Sequence, residues 1–208
     1  MIAIIGANGS MGKRYQAILS YLGEKFIPLD RDSTDEIQIL QMCMNCDRVI
    51  LASPTQTHVD WLYKLLPLGK KVLCEKPVSK NIDDLNELMF FCNKNGYVFD
   101  MVMQYAELVD QESRGSTYYN YFRTGNDGLV WDCMQIIGLA KDDIFIDNHS
   151  PIWKCRINGQ QLSLADMDRA YLLMIRRWLR GEAIVPFDTI FSIHQKVCKF
   201  MKKDQNDD

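Results

Sequence analysis

The first twelve residues constrain this chain more than any other stretch. Met1 to Ile5 is a short apolar run, M-I-A-I-I, followed at once by Gly6-Ala7-Asn8-Gly9-Ser10-Met11-Gly12 and then by a helical pattern over residues 13–22. A buried strand, a glycine turn and a helix, in that order, open a dinucleotide-binding βαβ unit. Each glycine has its own expected task. Gly6 lets the chain turn sharply off the strand, Gly9 has no side chain to keep the backbone from a pyrophosphate, and Gly12 lets the helix pack close. The helix would then point its unpaired N–H groups and positive dipole end at the phosphates. The spacing is G-x-x-G-x-x-G rather than the commoner G-x-G-x-x-G, and on its own it marks a turn as readily as a nucleotide site. Context strengthens it: the next strand-like run, residues 25–29, ends in Asp30, close to where a carboxylate for an adenosine ribose belongs.

Composition removes several alternatives. The 208 residues are 47% hydrophobic and 25% charged, as in an ordinary globular domain. The net charge of −3 and the lack of a basic stripe argue against nucleic acid as a partner. No apolar run reaches the ~20 residues that cross a bilayer, and the apolar start is too short and lacks the basic lead of a signal peptide. The seven cysteines are scattered through apolar stretches, which fits reduced thiols in a cytoplasmic protein. Cys43 and Cys46 have the C-x-x-C spacing of a zinc or redox pair, but no second pair follows, so buried thiols are the expectation and no metal is expected.

Along the chain, a polar loop from Asp30 carries opposing signals. Asp30 would accept both ribose hydroxyls and repel a 2′-phosphate, which favours NAD; Arg31 could stack on adenine or meet that phosphate, which favours NADP. Because Asp30 comes first, NAD is favoured over NADP. Residues 35–46 read as a helix and 48–52 as a third strand. Ser53-Pro54-Thr55-Gln56-Thr57-His58 follows, and small hydroxyl residues at a strand's carboxyl end suit a ligand edge. His58 opens a helix over 59–66, where a lone histidine is more commonly a cap or packing residue than a catalyst. A fourth strand (70–74) ends in Glu75-Lys76-Pro77, a helix spans 82–93, and a fifth strand spans 97–103. Alternating strands and helices predict a doubly wound parallel sheet.

Four stretches together, G-A-N-G-S-M-G at 6–12, A-S-P-T-Q-T-H at 52–58, C-E-K-P-V at 74–78 and the strand at 98–104, resemble the glucose–fructose oxidoreductase, inositol dehydrogenase and MocA (Gfo/Idh/MocA) family of NAD(P)-dependent oxidoreductases. The resemblance covers residues 1–105 well and the remainder loosely. It implies a Rossmann-type domain at 1–105 that binds NAD or NADP through Gly6, Asn8, Gly9, Ser10, Met11, Gly12, Asp30, Arg31, Ser53, Pro54, Thr55, His58, Glu75, Lys76, Pro77 and Gln104. It also implies a cis peptide before Pro77, which would hold Lys76 rigidly at the sheet edge. There the ammonium could polarise a substrate oxygen and help move a proton. Read without its neighbours, Glu-Lys-Pro is a charged turn.

The second half departs from that family's pattern. Members run to well over three hundred residues, with a broad antiparallel sheet that roofs the site and makes the oligomer. Here residues 106–208 predict a small, truncated α+β substrate and oligomerisation domain with a reduced antiparallel sheet. We expect a strand at 116–123, a turn at 124–128, a helix at 129–140, and strands at 144–147 and 153–157. Asn158-Gly159 then reads as a hairpin turn into a third strand, and helices follow at 164–179 and 187–201. The family's D-x-G-x-H-x-x-D helix falls on 132–139, where Asp132 takes the first aspartate's place but Ile136 and Leu139 stand at the histidine and the last aspartate. The resemblance therefore makes Lys76, Asp132 and Tyr105 the catalytic candidates, with Gln104 and His149 behind them. Tyr118, Tyr119 and Tyr121 read as sheet-face packing, Trp131 and Trp153 as core or interface packing, and Arg176, Arg177 and Arg180 as helix C-terminal charges that need no anion.

Three functions remain in view. The first is an oxidoreductase moving hydride between a nicotinamide and a hydroxyl or carbonyl carbon of a small polar substrate such as a sugar, nucleotide-sugar or cyclitol. The second is a non-catalytic dinucleotide-binding regulator or scaffold, and the third a structural α/β domain with an empty nucleotide site. A homo-oligomer is compatible with each.

Overall fold

The computed structural model describes residues 1–110, 112–120, 131, 133–147 and 150–204, with side chains described to residue 201. The chain divides into two compact units, Met1–Val102 and Met103–Asp208.

The first unit is a five-stranded parallel sheet with helices between its strands. Its elements are β1 (Ile2–Ile5), α1 (Ser10–Tyr21), β2 (Phe26–Leu29), α2 (Glu36–Met44), β3 (Arg48–Leu51), α3 (His58–Leu65), β4 (Lys71–Cys74), α4 (Ile82–Asn95) and β5 (Asp100–Met101). The strand order is β2-β1-β3-β4-β5, and each neighbouring pair is parallel. All four residues of β1 are buried, as are Val49, Ile50 and Leu51 of β3 and Val72, Leu73 and Cys74 of β4. Continuous apolar runs of this kind are what strands covered on both faces require. The helices bury single stripes instead. On α3, His58, Trp61, Leu62 and Leu65 are buried at i, i+3, i+4 and i+7, the spacing of one helical face.

The expected fifth strand contracts from seven residues to two. Gly96 closes α4 in the left-handed region at φ +69°, and the Tyr97 N–H turns back to the Cys92 carbonyl. This helix-ending bond claims the backbone that would have begun the strand. Val102 N–H still donates to the Cys74 carbonyl.

The second unit holds β6 (Thr117–Asn120), α5 (Met134–Leu139), β7 (Ile144–Asp147), β8 (Lys154–Ile157), β9 (Gln160–Leu162), α6 (Leu164–Leu179) and α7 (Thr189–Asp204). Its four strands lie in the order β7-β6-β8-β9. The sheet is mixed, not wholly antiparallel as expected, because β7 runs parallel to β6. The connection between them contains α5, and a crossover of that length is what a parallel pair needs. The β8–β9 hairpin turns on Asn158 and Gly159 at φ +51° and +82°, the paired positive angles that select Asn-Gly. Helix α6 starts with the Asp166 carboxylate accepting from Ser163 N and Ser163 Oγ, both at 2.8 Å. It buries Ala170, Tyr171, Met174, Ile175 and Trp178 along one side. The expected turn at 124–128, Tyr121 and most of the helix start at 129–132 lie outside the described residues.

Candidate nucleotide site

The carboxyl edge of the first sheet carries the glycine turn. Gly6 leaves β1 at φ +84°, and a Cβ there would come within 2.6 Å of the Ala52 and Ser53 backbone. Two requirements thus fall on one residue: a left-handed backbone and close contact with the loop after β3. Gly12 is bare for a different reason from the expected packing of helix on sheet. A Cβ on it would lie 2.2 Å from the Gly6 carbonyl oxygen and 2.6 Å from Ala7 Cα, so it is the turn's own backbone that α1 approaches. At Gly9 a Cβ would meet nothing nearer than the Gly6 oxygen at 3.4 Å. Gly9 is exposed and sits as N-cap of α1 with no side-chain acceptor to cover the helix's first N–H groups.

Around this turn lies a cleft of about 680 Å³, lined by Gly6, Asn8, Gly9, Ser10, Met11, Asp30, Arg31, Ser53 and Pro54, and also by Ile5, Asp32, Ala52, Thr57 and Trp61. Its size is within the range of small-molecule and cofactor sites. Asp30 is held at its rim: Oδ2 accepts from Asn8 N at 2.9 Å and Oδ1 from Asp32 N at 3.4 Å. A carboxylate has about four acceptor positions, so two main-chain donors fix Asp30 and leave it capacity for hydroxyls. Thr57, Asp32 and Trp61 were not anticipated. Trp61 carried a sequence signal, since it falls one turn after His58 on the same face of α3.

The remaining first-unit candidates stand behind or beside this lining. His58 is buried, with Nδ1 2.9 Å from the Pro77 carbonyl oxygen and Nε2 2.8 Å from that of Ser53. Burial lowers its pKa, against the opposing pull of both carbonyls and of Glu75. Its ring thus sits between the Ser53 loop and the Pro77 turn, and in the neutral form its single N–H donates to one of the two carbonyls. Glu75 is buried: Oε1 accepts from the Tyr15 hydroxyl and Oε2 from Lys76 N at 3.1 Å. The Lys76–Pro77 peptide is cis. Lys76 itself is half-buried, its backbone pinned by Glu75. Thr55 faces a separate polar cleft of about 530 Å³ with Asp60, Ser79 and Asp84.

In the second unit, Gln104 and Tyr105 are buried in a short 3-10 turn, with Tyr105 N donating to Gln135 Oε1 at 3.2 Å. Gln104 Oε1 meets no hydrogen-bond donor among the described residues. Asp132 and His149 lie outside the described residues. Trp131 is buried with its ring 6.0 Å from that of His194, and Trp153 makes an edge contact with Tyr119 at 6.4 Å. Tyr118 donates its hydroxyl to Gln161 Oε1 and lies under Arg156. Arg177 is paired with Glu107 at 3.0 Å, and Arg180 with Glu182 at 2.6 Å. All seven cysteines are free and all but Cys198 buried, and no group of metal-ligating residues occurs among the described residues. No described helix is long and apolar enough to cross a membrane.

A parallel sheet with a glycine turn at its carboxyl edge and a fixed carboxylate after the second strand defines a Rossmann-type nucleotide-binding fold. Residues 29–103 match the family described as "Oxidoreductase family, NAD-binding Rossmann fold". Over 71 residues, 34% of this chain and 19% of the relative, the sequence is 30% identical to 2,7-anhydro-N-acetylneuraminate hydratase of Mediterraneibacter gnavus. The chain spans 19% and 22% of the length of two of the curated relatives it matches. Among solved structures, a Gfo/Idh/MocA family oxidoreductase from Vibrio cholerae is similar with a TM-score of 0.72 at 14% identity, covering 99% of each chain. The WlbA (WbpB) dehydrogenase of Thermus thermophilus, solved in complex with NAD and UDP-GlcNAcA, is similar with a TM-score of 0.68 at 14% identity, covering 94% of this chain and 92% of that one. At such identities the likeness is one of fold.

Proposed function

We propose that the chain is an NAD-dependent oxidoreductase acting on a hydroxyl or carbonyl carbon of a small polar substrate of the sugar, nucleotide-sugar or cyclitol kind. The observation that carries this reading is the cleft in which Gly6, Gly9 and the fixed Asp30 line one cavity. The donor set fits a dinucleotide. Gly9 leaves open the space a side chain would fill, the first turn of α1 is uncapped for a diphosphate, and Asp30 keeps acceptor capacity for ribose hydroxyls. NAD bound there would supply the hydride chemistry. In this reading the first-turn N–H groups of α1 hold the diphosphate and Asp30 holds the adenosine ribose, favouring NAD because its charge opposes a 2′-phosphate. Lys76 holds or moves the proton at the substrate oxygen. Among the residues around it, Glu75 and His58 are positioning residues: they brace the turn that carries Lys76 and are not themselves part of the cleft lining, although His58 reaches the carbonyl of Ser53, which is. Asp132 and Tyr105 stay as candidate substrate or proton partners.

Ile136 at the place of the family's histidine favours a second reading, a dinucleotide-binding regulator without turnover. Titrating the purified chain with NADH and following nicotinamide fluorescence tests the shared part: Gly9→Trp should abolish binding that the parent shows. Normal binding by that variant would refute the site. A carbonyl panel then separates the two readings, since an enzyme should oxidise NADH and lose turnover in Lys76→Ala with binding kept, whereas a regulator should bind and turn over nothing.

A further inference from the structure

One end of the cleft holds a charge cluster that the proposed function leaves unused. Arg31 is the only cationic side chain in the lining among the described residues, yet its guanidinium is already committed. Nη2 donates to Glu36 Oε2 at 2.7 Å, and Cζ lies 5.0 Å from the centre of the Trp61 ring. Lys64, one turn after Trp61's own position on α3, donates Nζ to Glu36 Oε1 at 2.5 Å and lies 5.7 Å from the same ring. One carboxylate thus holds two cations over one indole. Trp61 is fully buried, so the platform is fixed. Glu36 is the first residue of α2, where the helix dipole also favours its charge. Lys64 first, and then Arg31, hold its carboxyl below the usual range.

We infer that Glu36 is a cofactor-specificity residue: by occupying Arg31 it withholds from the cleft the guanidinium that would receive a 2′-phosphate, and so selects NAD over NADP. This rests on the dinucleotide site proposed above. A guanidinium is well matched to a phosphate, and an arginine directly after the ribose carboxylate is placed for one. Here it must first leave Glu36, and the carboxylate left behind then repels the incoming dianion. Lys64 on the other oxygen keeps Glu36 from swinging away, and Asp32 adds negative charge to the same lining. The ion pairs are partly exposed, with side-chain exposures of 48% for Arg31, 37% for Glu36 and 38% for Lys64. Each pair is therefore weak as a source of fold stability. Its consequence is for ligand choice, where a charge is turned from one partner to another.

The test is titration of the full chain with NADH and NADPH at low ionic strength, followed by nicotinamide fluorescence. Four proteins are compared: the parent, Glu36→Gln, Arg31→Ala, and the double variant. Glu36→Gln should tighten NADPH about tenfold while NADH stays within about twofold, and added salt should shrink the gain. In the double variant NADPH should return to the parent's affinity, because the gain passes through Arg31. An unchanged NADPH/NADH ratio in Glu36→Gln, in a parent that binds NADH, overturns the inference and leaves the site standing. A gain that persists without Arg31 also overturns it, by showing a general charge effect. A parent that binds neither dinucleotide overturns the inference together with the site.

Discussion

At the scale of single residues, what matters here is which buried polar groups find partners. Tyr15 donates to Glu75, and the neutral His58 ring, with one N–H, donates to one of the Ser53 and Pro77 carbonyls it lies between. His194 is different, since burial drives its pKa down to about 4 while its Nδ1 bonds the Ile190 carbonyl. The unfolded chain takes up this proton near pH 6.5, and the folded chain only near pH 4. Between these values the unfolded state binds more protons, so stability must fall as pH falls through that window and level off below it. The loss is about 3 kcal/mol for His194, by the usual conversion of a pKa difference. Urea denaturation from pH 7 to pH 4 should show this slope, and His194→Gln should flatten most of it. Some slope should persist from His58, whose pKa is displaced in the same direction. An unchanged slope in the variant would show that the histidine is not buried as described.

Among the elements, the β8–β9 hairpin shows local chemistry and tertiary contact acting on the same residue. Asn-Gly was legible in the sequence as the turn. What was not legible is that Asn158 is buried, donating Nδ2 to the Leu139 carbonyl at 3.1 Å and accepting from Lys141 N at 2.8 Å. The turn is therefore anchored to the end of α5. Asn158→Ala loses both bonds and keeps a Cβ at φ +51° without the polar side chain that lets asparagine adopt this region, which should cost about 2–4 kcal/mol. Asn158→Gly loses the same bonds but relieves the backbone, so it should be milder by about 1–2 kcal/mol. Urea midpoints of the two variants decide the matter: equal midpoints would mean the left-handed backbone contributes nothing. Helix α6 was readable to the residue, because Ser163 and Asp166 mark its start and the apolar stripe runs its length. The fifth strand was misread, because its apolar residues satisfy a strand pattern while Gly96 commits the backbone to ending a helix.

For the molecule as a whole, seven free cysteines mean that no covalent cross-link holds either unit. Burial pushes the thiols of Cys43 and Cys155 up to about 12 and that of Cys92 to about 11, with Cys74 well above its usual value. At neutral pH a thiol reagent should therefore modify half-exposed Cys198 first and reach the other six only on unfolding. Reductant should leave the melting temperature unchanged. Rapid labelling of several thiols in the native protein, or a lower melting temperature in reductant, would contradict this packing.

The sequence by itself determined the order of strands and helices in the first unit, the glycine turn, Asp30 beside it and the Asn-Gly hairpin, because each depends on residues near one another in the chain. Hydrophobic period, caps and turn angles are local quantities. Only the tertiary structure decided that Gly6 packs against the loop after β3, that β7 runs parallel to β6, and that Glu36, Lys64 and Trp61 converge on Arg31. Those facts depend on where separate segments meet. Arg31 and Lys64 stand thirty-three positions apart in sequence yet share one carboxylate, and no local pattern encodes a meeting of that kind.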